Sequence, residues 1–238
     1  MNFSRRRDLT PAAMEVLHQY DQAVREIVGP EYAQPIRMRE WELWRVLNAM
    51  EGTPPQDRIL EIGSYNTFLT AYLARRFPRV TASDLMRQRC RKSLLRRLRL
   101  APPKPTEAFY FEWTKIIRRA GVEIRNLDAA RLTCPSASYD CIIAISVIEH
   151  IPQVERALAE LHRVLAPGGR LLLTTDCARE AKPYSAGVRY FSPAELATML
   201  APYAVTSFRN EPDFSDENWC YHQNLPVVTA FIEITKPR

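Results

Sequence analysis

Asp84 and Asp128 are the residues whose type and position first suggest a bound ligand. Each closes a short apolar segment, Val80 to Ser83 and Val122 to Leu127, and each is followed by an apolar residue, Leu85 or Ala129. A carboxylate in such a place accepts hydrogen bonds, from a vicinal diol at Asp84 or from an amino group at Asp128. The competing use of both is a helix N-cap, where Asp is favoured without any ligand. Upstream, Glu61-Ile62-Gly63-Ser64-Tyr65-Asn66-Thr67-Phe68 reads as a tight turn, with Gly63 twenty-one positions before Asp84. Downstream, the apolar run Cys141 to Ile145 leads into Ser146-Val147-Ile148-Glu149-His150. His150 and Glu149 are candidate proton acceptors there, His150 because imidazole titrates near neutrality. His222 is a third candidate, whereas His162 and His18 fall within helical patterns and read as structural. Cys90, Cys134, Cys141, Cys177 and Cys220 form no C-x-x-C pair and have no His at ligand spacing. That pattern predicts neither a metal site nor a disulfide framework, and reduced cytosolic thiols instead.

The elements that must position these residues follow from punctuation and period. Thr10 and Pro11 open a helix that Gly29-Pro30 stops, and Pro35 to Met50 repeats the pattern. From Arg58 short apolar strands (Arg58 to Ile62, Val80 to Ser83, Val122 to Leu127, Tyr139 to Ile145, Arg170 to Thr175) alternate with helical stretches (Phe68 to Phe77, Leu85 to Leu100, Trp113 to Ala120, Val154 to Leu165). Strand and helix in series predict parallel crossovers and an α/β doubly wound sheet. Ser192, Pro193 and Glu195 form a capping box for a helix to Ala201. The strands Val205 to Arg209 and Val227 to Thr235 follow, the second alternating as an antiparallel strand does. Residues 1–57 are expected to form an N-terminal helical cap. Residues 58–238 form the core, with a basic helical insert at about 85–120 and a substrate loop at about 211–226. In such a sheet the ligand lies beyond the carboxyl ends of the strands, where the turns above converge.

Taken in order, Glu61-x-Gly63, Asp84, Asp128, the Tyr139-Asp140 strand leading to Glu149-His150, and Leu165-x-Pro167-Gly168-Gly169 resemble a class I S-adenosylmethionine-dependent methyltransferase of the type-11-like, small-molecule branch. The resemblance covers Arg58 to Thr175, about half the chain. It implies a Rossmann-like seven-stranded sheet, mostly parallel with an antiparallel C-terminal strand, and S-adenosyl-L-methionine as cofactor. It also implies that Glu61, Gly63, Ser64 and Tyr65 border the methionine portion. Asp84 with Leu85 would meet the ribose, Asp128 with Ala129 the adenine, and Ser146 the sulfonium side. The family's first turn is usually G-x-G-x-G, and here Tyr65 and Thr67 replace the later glycines. Either the pocket is modified, with the tyrosine lining it or swung aside, or a binding protein has lost the cofactor. The same departure counts against a nicotinamide enzyme, whose pyrophosphate needs the full glycine turn.

Methyl transfer is an in-line displacement in which alignment does most of the work, with a base needed only for a protonated nucleophile. Trp41, Tyr184, Tyr190, Trp219 and Tyr221 are candidates to line an acceptor pocket, being aromatic and lying in the segments added around the sheet; core packing is their alternative. The expected reaction is methylation of an oxygen or nitrogen of a small aromatic or amphiphilic acceptor. Net charge is +6, yet Leu85 to Thr106 alone carries +8, so the rest sums to −2. Met86, Cys90, Leu94 and Leu98 recur every four residues, which makes Leu85 to Leu100 an amphipathic helix with arginines on its other faces. Arg87 to Arg99 could form a solvated face, a peripheral contact with an anionic membrane or lipid substrate, or a nucleic-acid patch. The fourth strand lacks the Asn/Asp-Pro-Pro-Tyr/Phe and Pro-Cys signatures of base-methylating enzymes, which disfavours those chemistries but not other RNA methylation. No apolar run approaches the ~20 residues of a membrane span, and Met1 to Arg7 leads into no apolar stretch, so a cytoplasmic protein is expected.

Overall fold

The computed structural model describes residues 1–29, 39–65, 68–85, 105–205, 210–215, 220–222 and 225–238, with backbone only at 6, 105–108, 220–222 and 225. In chain order its elements are β1 (Asn2–Phe3), α1 (Pro11–Val28), α2 (Glu40–Met50), β2 (Arg58–Ile62), α3 (Leu69–Leu73), β3 (Arg79–Ser83), α4 (Pro105–Arg119), β4 (Glu123–Arg125) and β5 (Tyr139–Ile145). There follow α5 (Val154–Val164), β6 (Leu165–Ala178), β7 (Lys182–Ser185), β8 (Val188–Tyr190), α6 (Pro193–Leu200), β9 (Cys220–His222) and β10 (Leu225–Thr235). Local chemistry sets several ends as the sequence predicts. Thr10 Oγ1 accepts the Ala13 amide at 3.2 Å, Gly29 caps α1 with φ 86°, and Ser192 Oγ accepts the Glu195 amide at 3.1 Å. The expected helix Leu85 to Leu100 and the Arg87 to Arg99 patch lie outside the described residues beyond Leu85.

The sheet runs β1-β10-β6-β5-β2-β3-β4, with β9 also on β10. β4, β3, β2, β5 and β6 are parallel, and β10 is antiparallel to β6. This is the doubly wound, mostly parallel sheet with an antiparallel C-terminal strand that the sequence predicts. The ordered path has the seven strands expected, and β9 adds a short eighth on β10 among the described residues. The outer edge of β10 is shared by short pieces, β1 and β9 as antiparallel strands and Val205 as a single bridge to Ile234. Residues 206–209, the remainder of the expected sixth strand, lie outside the described residues. Asn210 completes the edge, its carboxamide accepting the Phe3 amide and donating to the Phe3 carbonyl, both at 2.7 Å.

Alternation along the strands divides the core into two layers. Ile59, Cys141, Ile143, Ile145 and Leu172 pack on one face under α1, α2, α3 and α4. Leu60, Ile62, Ile142, Ala144, Leu171 and Leu173 pack on the other with α5 and α6. The N-terminal helices therefore share a core with the first strands, and α2 reaches β5, β6 and β10.

Leu165, read from the sequence as the last residue of a helix, and Ala166 to Gly169, which precede the strand read from Arg170, are instead the first residues of β6. The register shifts between the Tyr139–Leu165 and Cys141–Arg170 pairs, so the extra residues bulge while the strand continues. Gly168 enters the left-handed region at φ 77° and donates its amide to the Lys236 carbonyl at 2.8 Å. The Lys236 ammonium donates to the carbonyls of His162, Arg163 and Leu165, closing the end of α5. A Cβ on Gly169 would stand 2.8 Å from the Ala166 carbonyl oxygen and 2.9 Å from that of Asp140, both fixed backbone. We therefore expect Gly169→Ala to cost about 1–3 kcal/mol in urea unfolding, the range for overpacking a closed site. A cost under about 0.5 kcal/mol, typical of a neutral surface change, would contradict this packing.

Candidate active site

The carboxyl ends of β2, β3 and β5 meet around Gly63. This residue has φ 70°, and a Cβ on it would stand 2.4 Å from Val147 Cγ2, so the turn leaving β2 lies directly against the turn leaving β5. Ser64 is wholly buried and donates both its amide and its hydroxyl to the Ser83 carbonyl, at 3.0 and 3.2 Å, tying the β2 turn to the end of β3. One residue on, the Tyr65 amide donates to Asp84 Oδ2 at 3.3 Å. The Tyr65 ring packs against α4, with centroids 5.7 Å from Phe109, 5.8 Å from Tyr110 and 6.2 Å from Trp113. The Tyr65 side chain thus forms part of an aromatic cluster with α4. Glu61 is buried in β2, and its charge, after burial, is the second influence holding the Tyr20 hydroxyl well above the ordinary tyrosine range. Leu85 follows Asp84 at the end of β3, and Asp128 and Ala129 follow β4. Asp128 Oδ1 accepts the Ala130 amide at 2.9 Å, a local turn that fixes the carboxylate.

At the exit of β5, Ser146 has φ 49°, an uncommon conformation for a residue with a side chain. Its amide donates to the Thr174 carbonyl and hydroxyl, at 3.1 and 3.0 Å. Its hydroxyl donates to Glu42 Oε2 at 2.8 Å, and Thr174 donates to the same oxygen at 2.5 Å. Glu149 is 1% exposed and accepts from the Thr175 hydroxyl at 3.0 Å. Burial, reinforced by the charge of Asp176, pushes its pKa up to about 8. His150 is exposed, with Nδ1 2.8 Å from the Gly187 carbonyl in the turn between β7 and β8. Tyr184 donates to the His150 carbonyl at 3.3 Å.

Among the predicted acceptor-lining residues, Tyr184 is 42% exposed and stands beside His150, while Trp41 and Tyr190 are 7% and 6% exposed. The Trp41 indole donates to Asp8 at 3.0 Å, so structural packing accounts for that residue. Trp219 lies outside the described residues, as do the side chains of Tyr221 and His222 on β9. The residues that sequence reasoning missed are Arg39, Glu42, Thr174 and Thr175. The threonines were readable as polar interruptions at the end of an apolar strand, but nothing local marks Glu42, whose partners are more than a hundred positions away.

The sign of the Glu149 shift sets a pH dependence. Its folded-state pKa of about 8 lies above the ordinary carboxyl value of 4.5, so its contribution to stability is intact at low pH and is lost as pH rises through about 8. Glu149→Gln, which cannot ionise, should gain on the wild type by a few kcal/mol between about pH 5 and about pH 8 in urea unfolding. A stability difference that stays constant with pH would contradict a buried neutral acid.

Comparison with known proteins is consistent with this geometry. A family model described as a methyltransferase domain matches residues 31–215. A phosphatidylethanolamine N-methyltransferase from Cereibacter sphaeroides is 31% identical over 64 residues, which are 27% of this chain and 32% of that protein. An uncharacterized methyltransferase from Mycobacterium bovis is 30% identical over 119 residues, 49% of each chain. A probable tRNA methyltransferase 9B from Mus musculus is 40% identical over 120 residues, 49% of this chain and 25% of that one. The chain spans half or less of the length of these curated relatives. Among solved structures, the cyclase SpnF superposes with TM-score 0.60 and 14% identity, covering 94% of this chain and 97% of that one. The 1,6-didemethyltoxoflavin-N1-methyltransferase of Burkholderia thailandensis, solved with S-adenosylhomocysteine, gives TM-score 0.55 at 19% identity, covering 93% and 90%. With its family model spanning most of its length and its sheet ordered as described, the chain belongs to the methyltransferase-domain family, that of the class I S-adenosyl-L-methionine-dependent methyltransferases.

Proposed function

We propose that the protein transfers the methyl group of S-adenosyl-L-methionine to an oxygen or nitrogen of a small aromatic or amphiphilic acceptor. The observation that carries this reading is the turn at Gly63, closed against Val147 and tied through the Tyr65 amide to the Asp84 carboxylate, while the Tyr65 ring is engaged with α4. These residues fit the cofactor. Glu61, Gly63, Ser64 and the Tyr65 backbone would hold its methionine portion, Asp84 and Leu85 its ribose, Asp128 and Ala129 its adenine, and Ser146 would border its sulfur. When bound, the cofactor supplies a methyl group already activated by a positive sulfonium. The protein's part is then to align an acceptor, exclude water and take up a proton where the acceptor has one to lose.

His150 is suited to that last task by its tautomer. The Gly187 carbonyl can only accept, so Nδ1 carries the hydrogen and Nε2 of the neutral ring carries a lone pair. This makes Nε2 the proton acceptor, with the exposed Tyr184 ring beside it as part of the acceptor wall. Glu149, held protonated at neutral pH by burial, serves the shape of the loop rather than as a base. The Burkholderia enzyme's title names a nitrogen of a small molecule as its target, which supports a small acceptor here. A second reading, a lipid headgroup or RNA as acceptor, draws on the +8 segment Leu85 to Thr106 and on the lipid- and tRNA-methylating names among the relatives.

Calorimetric titration with S-adenosylmethionine and S-adenosylhomocysteine tests the cofactor. Wild-type protein should bind both, and Asp84→Ala should weaken binding about tenfold or more through loss of its hydrogen bonds to the diol. Absence of binding by wild-type protein would overturn the reading. Methylation of small aromatic acceptors indifferent to salt supports the first acceptor class, and activity only on lipid vesicles or tRNA that falls steeply with salt supports the second.

A further inference from the structure

We infer that α2 is a positioning element of the cofactor site, with Arg39 and Glu42 clamping the exit of β5 so that Ser146 keeps its left-handed turn and Val147 keeps its place against Gly63. The inference deepens the proposed function and rests on it.

Arg39 occupies the N-cap position of α2, and Glu42 follows about one turn later, so the two side chains act from neighbouring positions. The Arg39 guanidinium donates to the Ile145 carbonyl at 3.1 Å, at the last residue of β5. Glu42 Oε2 accepts from Ser146, the first residue beyond that strand, and from Thr174 on the neighbouring strand β6. The clamp thus grips the backbone on one side of the bend and the side chain on the other. It also links the two strands through one carboxylate oxygen. Ser146 needs such support, because a left-handed conformation costs a residue with a Cβ of order 1 kcal/mol and persists only where its surroundings enforce it. One residue later, the Val147 methyl that Gly63 leaves room for fixes the β2 turn. A displacement at Glu42 therefore passes through Ser146 and Val147 to the glycine turn. Glu42 is 5% exposed, and an acid so placed would be removed by a merely apolar packing requirement. Burial raises its pKa, with Asp176 adding to the rise, and Arg39, Thr174 and Ser146 offset only part of it.

The test compares Glu42→Gln and Glu42→Ala by two readouts. In the first, hydrogen exchange at the Ser146 and Val147 amides is measured without ligand. Glu42→Ala should exchange there about tenfold faster than wild type, and Glu42→Gln, whose amide oxygen can still accept from both hydroxyls, should remain near the wild-type rate. In the second, S-adenosylhomocysteine affinity should fall about tenfold in Glu42→Ala and be restored in Glu42→Gln. Thr174→Val, which removes one donor to Glu42 and leaves the helix untouched, should reproduce the affinity loss if Glu42→Ala fails to fold. Unchanged exchange and unchanged affinity in Glu42→Ala or Thr174→Val would overturn the clamp. Equal loss in Glu42→Gln and Glu42→Ala would overturn it too, since the charge and not the grip would then matter. Failure of wild-type protein to bind S-adenosylhomocysteine would instead remove the proposed function on which the inference rests, and wild-type titration reads that separately.

Discussion

The contact between Gly63 and Val147 is the constraint on which the rest of the site depends. With a methyl group 2.4 Å from where a Cβ would stand, position 63 admits only glycine, and the β5 exit must carry Val147 in one place. Two turns that are far apart in sequence thereby become one surface. From it the other contacts follow: Ser64 ties the β2 turn to Ser83, the Tyr65 amide meets Asp84, and Ser146 leaves β5 in a left-handed turn held on Thr174 and Glu42. Such a surface is held by contacts within the protein, and a fixed surface is the condition under which alignment contributes to catalysis.

The replacement of the usual second glycine by Tyr65 acquires a physical explanation from the same arrangement. The backbone amide still faces the β3 carboxylate, and only the side chain is new. Its ring joins Phe109, Tyr110 and Trp113, with Trp113 wholly buried, so the tyrosine anchors the helix that returns the chain from the basic segment. Aromatic pairs of this kind contribute about 0.5–1.5 kcal/mol each beyond their buried area. A residue that in sequence reads as an obstruction is, in the fold, a packing contact between the first turn and α4.

What could be read beforehand divides by range. The caps at Thr10, Gly29 and Ser192, the parallel strand series, the antiparallel final strand and the spacing of Gly63 and Asp84 are local or periodic signals, and all are found in the structure. The β1 edge strand is not legible, because two residues carry no period and their partners Ala230 and Phe231 lie at the other end of the chain. The sequence starts the strand at Arg170 whereas β6 starts at Leu165, because Pro167-Gly168-Gly169 carries no strand period and a bulge absorbs those residues. Glu42 lay hidden for a related reason: its partner Ser146 is 104 positions distant, and an acid on an amphipathic helix ordinarily faces water. The direction of the Tyr65 ring likewise depends on α4, which only the folded chain brings near.

The resemblance to SpnF, a cyclase on the same architecture, marks how far a fold carries a functional argument. Chemistry lives in the turns, and here the central claim is that the carboxyl edge between Gly63 and Asp84 receives S-adenosylmethionine with the tyrosine turned away. A crystal structure grown with S-adenosylhomocysteine tests this most directly. The ribose diol should lie on the Asp84 carboxylate, with the Tyr65 ring still against Trp113. A Tyr65 ring lying across the strand ends, with no nucleoside bound at millimolar ligand, would contradict it.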